Sequence, residues 1–115
     1  MRTFLLFIVI GVLAACSGNS GPVQEYTLHV YGNNEQCKRM IDSAAYAVKG
    51  VSLADWHIDS KLLTVKIDTN IVSTDAVLQT VAHAGFDNEL YYGDDYVYGA
   101  LPLNCQYERR EHELK

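Results

Sequence analysis

The chain has 115 residues, 49% of them hydrophobic, and a formal net charge of −5 at pH 7. This composition is typical of one small globular domain and leaves no room for a two-domain enzyme. No run of basic residues is longer than Arg109-Arg110, which argues against a nucleic-acid partner because such a partner requires a basic surface. Three cysteines are too few for a four-thiolate zinc site or a disulfide-dense scaffold.

Residues 1–15 have the pattern of a signal peptide. Arg2 supplies a positive charge, and the apolar run Phe4–Leu13 that follows is shorter than the roughly 20 residues that span a bilayer. The stretch Leu13-Ala14-Ala15-Cys16 resembles the lipobox of bacterial lipoproteins, in which the cysteine is acylated. The resemblance implies a membrane anchor on Cys16, and Ser17 after it implies the outer membrane, facing the periplasm. A plain secretory signal is the alternative.

The next elements are a tether, a strand and a helix. Residues 16–25 are rich in Ser, Gly and Asn, which predicts a flexible tether, with the folded part beginning near Tyr26. Alternation then predicts a strand with Tyr26, Leu28 and Val30 on one face. After the loop Gly32-Asn33-Asn34, in which either asparagine can cap a helix, helical spacing runs from Cys37 to Val48 and is followed by Gly50.

A hairpin, a second helix and a fourth strand are predicted next. Two alternating segments, 51–58 and 63–67, flank a polar turn. A helix opening at Ser73 ends at Gly85, and the phase of Phe86, Leu90 and Tyr92 predicts a strand over 86–92. The order β-α-β-β-α-β predicts an α+β, ferredoxin-like sandwich, with a four-stranded antiparallel sheet and two helices on one face.

Residues 93–115 lie outside this unit and are predicted to form a short C-terminal extension and tail. Asp94-Asp95 can cap a short helix that Pro102 ends. The charged tail after Tyr107 is expected to be frayed. Five tyrosines in 91–107 are expected to attach the extension to the sheet rather than to form a partner-binding patch.

Several residues of segment 26–92 carry a resemblance to a known family: Val30, Gly32, Cys37, Gly50-Val51, Trp56, Asp68 and Ala84-Gly85-Phe86-Asp87. The segment resembles the heavy-metal-associated (HMA) domain of copper chaperones, metal-pump N-termini and periplasmic mercury-binding proteins. The resemblance implies the same fold as the strand and helix order above, and a metal loop between the first strand and the first helix.

The loop departs from the family pattern, which reads Gly-Met-Thr/His-Cys-X-X-Cys. A branch that the chain resembles more closely has Gly-Asn-Cys-Gly-Met-Cys there and Cys-Cys-Gln-Tyr near its end. The stretches here are Gly32-Asn33-Asn34-Glu35-Gln36-Cys37 and Asn104-Cys105-Gln106-Tyr107. Asn34 and Asn104 therefore stand where each pair has its first thiol, and only Cys37 and Cys105 are kept.

The two remaining thiols allow three interpretations. In the first, Cys37 and Cys105 bind a soft ion, and Cu(I) fits best because it tolerates two sulfur ligands. A nitrogen from one of four histidines is a further candidate ligand: His29, His57, His83 or His112. In the second, the cysteines form a disulfide in an oxidising compartment. The third is a catalytic thiol, which the absence of an adjacent Cys-X-X-Cys disfavours, so no enzyme activity is expected.

We therefore predict a lipid-anchored, non-enzymatic, HMA-like protein that captures or relays a soft metal outside the cytoplasm. Its site is predicted to consist of Cys37 and Cys105 beside the loop Gly32, Asn33 and Asn34. The expected partners are the membrane, through Cys16, and a metal-donor or metal-acceptor protein. The alternative is a metal-free interaction or structural module closed by a Cys37–Cys105 disulfide.

Overall fold

A three-stranded antiparallel sheet is the framework of the molecule. The computed structural model describes residues 22–111, and the predicted signal peptide and lipidated Cys16 lie outside that range. The strands are β1 (Val23–His29), β2 (Val51–His57) and β3 (Leu62–Asp68), in the order β1-β3-β2. Strand β1 begins before the predicted start at Tyr26, so it includes residues that the sequence assigned to the tether. Its register is continuous, with Leu28 opposite Leu63 of β3.

Two helices pack into one core with the sheet. Helix α1 spans Glu35–Tyr46 and helix α2 spans Thr74–His83. Each begins at a capping side chain, because Asn34 accepts hydrogen bonds from the first turn of α1 and Ser73 does so for α2. The core joins the buried faces of both helices to the alternate residues of central strand β3: Cys37, Ile41, Ala45, Val77, Leu78, Val81, Leu63, Val65 and Ile67.

The fourth strand predicted over 86–92 is wrong, because this segment makes only one isolated bridge, between Val30 and Asn88. The reason is the Asn88 side chain. Its Oδ1 accepts hydrogen bonds from the backbone N–H groups of Leu90 and Tyr91, while its Nδ2 donates to the Leu78 carbonyl. These bonds turn the chain away from β1, as asparagine side chains do in turns. Between residues 22 and 111, the sheet therefore has three strands.

The C-terminal extension is ordered through Glu111. Helix α3 (Asp95–Gly99) begins at Asp94, which caps it as predicted by accepting a hydrogen bond from the Val97 N–H. A 3-10 turn, Leu103–Cys105, follows. In the part of the chain that the structure describes, no helix combines the length and apolar character needed to span a membrane.

Candidate functional site

A disulfide joins the start of helix α1 to the C-terminal extension. Cys37 and Cys105, which are 68 positions apart in the chain, are bonded with their Cα atoms 5.2 Å apart. Both residues are fully buried. The structure therefore brings together Cys37 and Cys105, the two cysteines predicted to form the site. They are joined in a disulfide, which was the second interpretation of the sequence.

The loop before α1 encloses this disulfide. Asn33 Oδ1 lies 3.1 Å from Cys37 Sγ. Asn34 and Asn104 also meet, because Asn34 Nδ2 donates a 2.5 Å hydrogen bond to the Asn104 carbonyl. Gly32 is required at its position, since a Cβ there would lie 2.9 Å from the Trp56 ring. The loop with the start of α1 and the C-terminal extension are thus adjacent in space, and each side contributes one sulfur to the disulfide.

Tyr107 is the main buried anchor of the extension. Its hydroxyl donates a 2.7 Å hydrogen bond to the Gly85 carbonyl and accepts a 2.8 Å bond from the Asp87 backbone N–H. Its ring stacks on Phe86 with the centroids 5.6 Å apart. Burial raises the pKa of Tyr107 well above its ordinary value, so the hydroxyl keeps the proton that it donates.

A buried ion pair fastens the chain just beyond Tyr107. Arg109 Nε and Nη2 both donate to the Asp87 carboxylate, at 3.0 and 2.7 Å. The backbone N–H groups of Gly93 and Arg110 donate to the same carboxylate. Burial alone would raise the pKa of Asp87, but the Arg109 and backbone hydrogen bonds together outweigh it and lower that pKa. The extension is therefore held by groups that do not include the disulfide.

The sequence did not predict this pair, although it offered one signal. Asp87 lies in the segment 86–92, which was predicted to be a strand because its apolar residues alternate. A carboxylate buried within a strand needs a charged or hydrogen-bonding partner. The partner, Arg109, lies in the segment that was expected to be frayed. The structure places Arg109 over the Tyr98 ring, 4.5 Å from its centroid, so the extension is ordered well past Tyr107.

The described residues contain no cluster of three or more candidate metal ligands. Between residues 22 and 111, no three His, Cys, Asp or Glu side chains come together in an arrangement that could hold a metal ion. His112, one of the histidines suggested as an extra ligand, lies outside this range. In the disulfide the two sulfurs are bonded to each other, and the thiolate is the form that binds metal. Metal binding at Cys37 and Cys105 therefore requires reduction.

Comparison with known proteins finds likeness in structure only. No family model and no curated protein matches the chain. The CopZ metallochaperone is similar, with a TM-score of 0.54 and 24% identity over 56% of this chain and 98% of that one. A second similar structure is a protein from Bacillus anthracis str. Ames proposed to bind copper ions, with a TM-score of 0.57 and 22% identity over 61% of this chain and 100% of that one. These likenesses show a shared α+β fold.

Proposed function

We propose that this chain is a lipid-anchored, HMA-like protein that captures or relays a soft metal ion, with Cu(I) the best match, outside the cytoplasm. The reduced thiols of Cys37 and Cys105 are its ligands. The observation that carries the proposal is the placement of Cys105 against Cys37 at the first turn of α1. The likeness to a metallochaperone fold supports it.

The disulfide is the closed form of this site. A dithiol reductant opens it by exchange, which leaves two thiols in the protein and one disulfide in the reductant. Because Tyr107 and Arg109 hold the extension independently, Cys105 stays beside Cys37 after reduction. The N-terminal end of α1 favours the thiolate of Cys37 through the positive end of the helix dipole. Two adjacent thiolates suit a soft ion such as Cu(I).

The test is a Cu(I) titration of the reduced protein against a competing chelator. We expect one ion per chain, and at least tenfold weaker binding by Cys37→Ser and by Cys105→Ser. His57→Asn, an exposed change on β2, serves as the matched control and should bind as the parent does. The oxidised protein should not bind. If the two serine variants bind as tightly as the parent, the proposed site is wrong.

A second candidate is a metal-free interaction or structural module that the disulfide closes permanently. The observation that favours it is the complete burial of both cysteines, which restricts access by a reductant or a metal donor. It predicts that protein taken from cells contains no free thiol and yields a Cys37–Cys105 crosslinked peptide in mass spectrometry. Free thiols at both positions in cells would eliminate this candidate.

The lipid anchor is tested separately. Since the proposal places the acyl chains on Cys16, the parent should fractionate with membranes and show the mass of a lipid-modified N-terminus. Cys16→Ser should lose both properties. A parent chain that is cleaved but carries no lipid would favour the plain secretory alternative.

A further inference from the structure

One end of the sheet is where the described chain enters the fold. Val23 at the start of β1 pairs with Asp68 at the end of β3. The backbone N–H and the hydroxyl of Thr69 both donate to the Pro22 carbonyl, at 3.2 and 3.1 Å, so the segment after β3 is bonded to this point of entry. We call this end of the molecule the entry end; it consists of residues 22–23, 46–51 and 68–73.

The connection from α1 to β2 lies at the same end. The Asp68 N–H donates a 2.9 Å hydrogen bond to the Gly50 carbonyl, and a Cβ on Gly50 would lie 2.9 Å from the Ile71 side chain. Helix α1 ends at Tyr46, just before this connection. Because Cys37 is at the start of α1, the disulfide lies at the opposite end of the molecule.

Three large apolar side chains are exposed at the entry end, each from a different element. Val23 of β1 is 48% exposed, Tyr46 of α1 is 61% exposed, and Ile71, in the loop after β3, is 52% exposed. Tyrosine, which is apolar with a polar tip, is favoured at membrane–water interfaces. Lys49 is the exposed charged residue of this end, and lysine is attracted to anionic lipid. The Asp68 carboxylate is half-buried and accepts a 2.9 Å hydrogen bond from a backbone N–H.

We infer that the entry end is a membrane-contact surface, on which Val23, Tyr46 and Ile71 enter the interfacial layer of the bilayer that holds Cys16. The inference rests on the lipid anchor of the proposed function, and it adds the orientation of the domain. Contact removes the three side chains from water, which is favourable in proportion to the apolar area that they bury. The disulfide end then faces away from the lipid, where a soluble metal donor or acceptor can reach it.

The length of chain before β1 determines which end can touch the lipid. Because β1 begins at Val23, residues 17–21 are all that separate Cys16 from Pro22. Fully extended, the six Cα steps from Cys16 to Pro22 span at most about 22 Å. The seven residues of β1 themselves span about 20 Å. Even a tether that is stretched back along β1 therefore reaches only to about His29.

The disulfide lies beyond that reach. A Cβ on Gly32, in the loop that follows β1, would lie 3.2 Å from the Cys37 side chain. The extension at this end has two side chains, Tyr96 and Leu103, that are 87% and 86% exposed, more than the three apolar side chains of the entry end. Exposure alone would therefore place the extension on the lipid, whereas the tether length places the entry end there. One experiment separates these two expectations.

The experiment is fluorescence quenching by lipid, with the full chain purified from membranes in its oxidised form. The chain is reconstituted into vesicles of phosphatidylethanolamine and phosphatidylglycerol that contain a lipid with a quencher near its headgroup. Since Cys37 and Cys105 are held in the disulfide, a thiol-reactive dye is placed by Ile71→Cys or, as the matched control, by Leu103→Cys. We expect quenching to be at least threefold stronger at position 71. Equal quenching at the two positions, or stronger quenching at position 103, would overturn the inference.

A pair of tyrosine variants checks the contact itself. In the chain with the dye at position 71, Tyr46→Ser should reduce quenching at least twofold, because it removes part of the apolar surface. Tyr96→Ser, which changes an exposed tyrosine at the disulfide end, should leave quenching unchanged. Far-UV circular dichroism verifies that each variant is folded. A folded Tyr46→Ser chain that is quenched as strongly as its parent would contradict the inference.

Mass spectrometry of the same sample separates this inference from the proposed anchor. A chain that carries the lipid but shows weak quenching at both positions contradicts the contact surface and leaves the anchor in place. A chain without lipid contradicts the anchor, and the inference with it.

Discussion

The Tyr107 hydroxyl satisfies two buried backbone groups, because it donates to the Gly85 carbonyl and accepts from the Asp87 N–H. Tyr107→Phe removes this oxygen and leaves the Gly85 carbonyl and the Asp87 N–H unpaired in the core. We expect the free energy of unfolding to fall by about 2 kcal/mol, measured by urea denaturation. Tyr96→Phe is the control, because Tyr96 is 87% exposed. An equal effect of the two substitutions would contradict the anchoring role.

Asp87 should make stability depend on pH in the acid range. Its pKa is lowered in the folded state, so its contribution is complete above the unfolded value, about 3.9. The contribution is lost as the pH falls through the folded pKa. Asp87→Asn should cost about 3 kcal/mol at pH 7, because it leaves Arg109 without its carboxylate. Denaturant unfolding at pH 7 and at successively lower pH measures both effects. Asp95→Asn, at the exposed end of the same network, should change the acid dependence little.

Asp87 and Asn88 show which part of the fold the sequence could not predict. The apolar phase of 86–92 predicts a strand, but Asn88 interrupts it with side-chain bonds to the nearby N–H groups of Leu90 and Tyr91. The Asp87 carboxylate also bonds the N–H of Arg110, which is 23 positions away, and periodicity carries no information about such a pair. The buried positions of β3 follow directly from alternation, because a central strand has neighbours on both sides.

At the scale of elements, α1 depends on its cap. Asn34 Oδ1 accepts hydrogen bonds from the N–H groups of Gln36 and Cys37. Asn34→Ala should lower the free energy of unfolding by about 1 kcal/mol, measured by thermal or urea denaturation. Asn34→Asp retains the acceptor and should cost much less. Equal losses in both variants would show that the bond from Asn34 to the Asn104 carbonyl matters more than the cap.

The two long helices and the hairpin were predictable because their signals are local: caps, apolar spacing and terminal glycines. The docking of the extension was not, because α3 is short and half exposed and its position is fixed by Tyr107 and Arg109. For the candidate site, the sequence identified Cys37 and Cys105 through the family's loop and tail. It left open whether they bind metal or each other. The structure shows them bonded to each other.

At the scale of the whole molecule, the disulfide closes a large loop. Reduction should lower the free energy of unfolding by about 4 kcal/mol, as expected for a loop of this length. The extension should nevertheless remain docked, since the Asp87–Arg109 pair persists. Urea denaturation with and without a reductant measures the first effect, and amide hydrogen exchange of Tyr107 measures the second. The double variant Cys37→Ser with Cys105→Ser should be insensitive to the reductant.

Introducing thiols at positions 34 and 104 should strengthen soft-metal binding by the reduced protein. Asn34 and Asn104 already contact each other beside the two cysteines, so Asn34→Cys with Asn104→Cys places four sulfurs together. We expect at least a tenfold gain in Cu(I) affinity over the parent in a chelator competition. The double serine variant at the same positions is the control. No gain over that control would mean that the loop does not support a metal site.

The bond between Cys37 and Cys105 makes a covalent ring that contains β2, β3 and α2 but leaves β1 outside it. A protease that cuts an exposed peptide inside the ring, such as the turn between β2 and β3, cannot release either half. Such a nicked molecule would migrate as one species on a non-reducing gel and separate into two after reduction. The ring would therefore preserve the assembled domain through a single backbone cut.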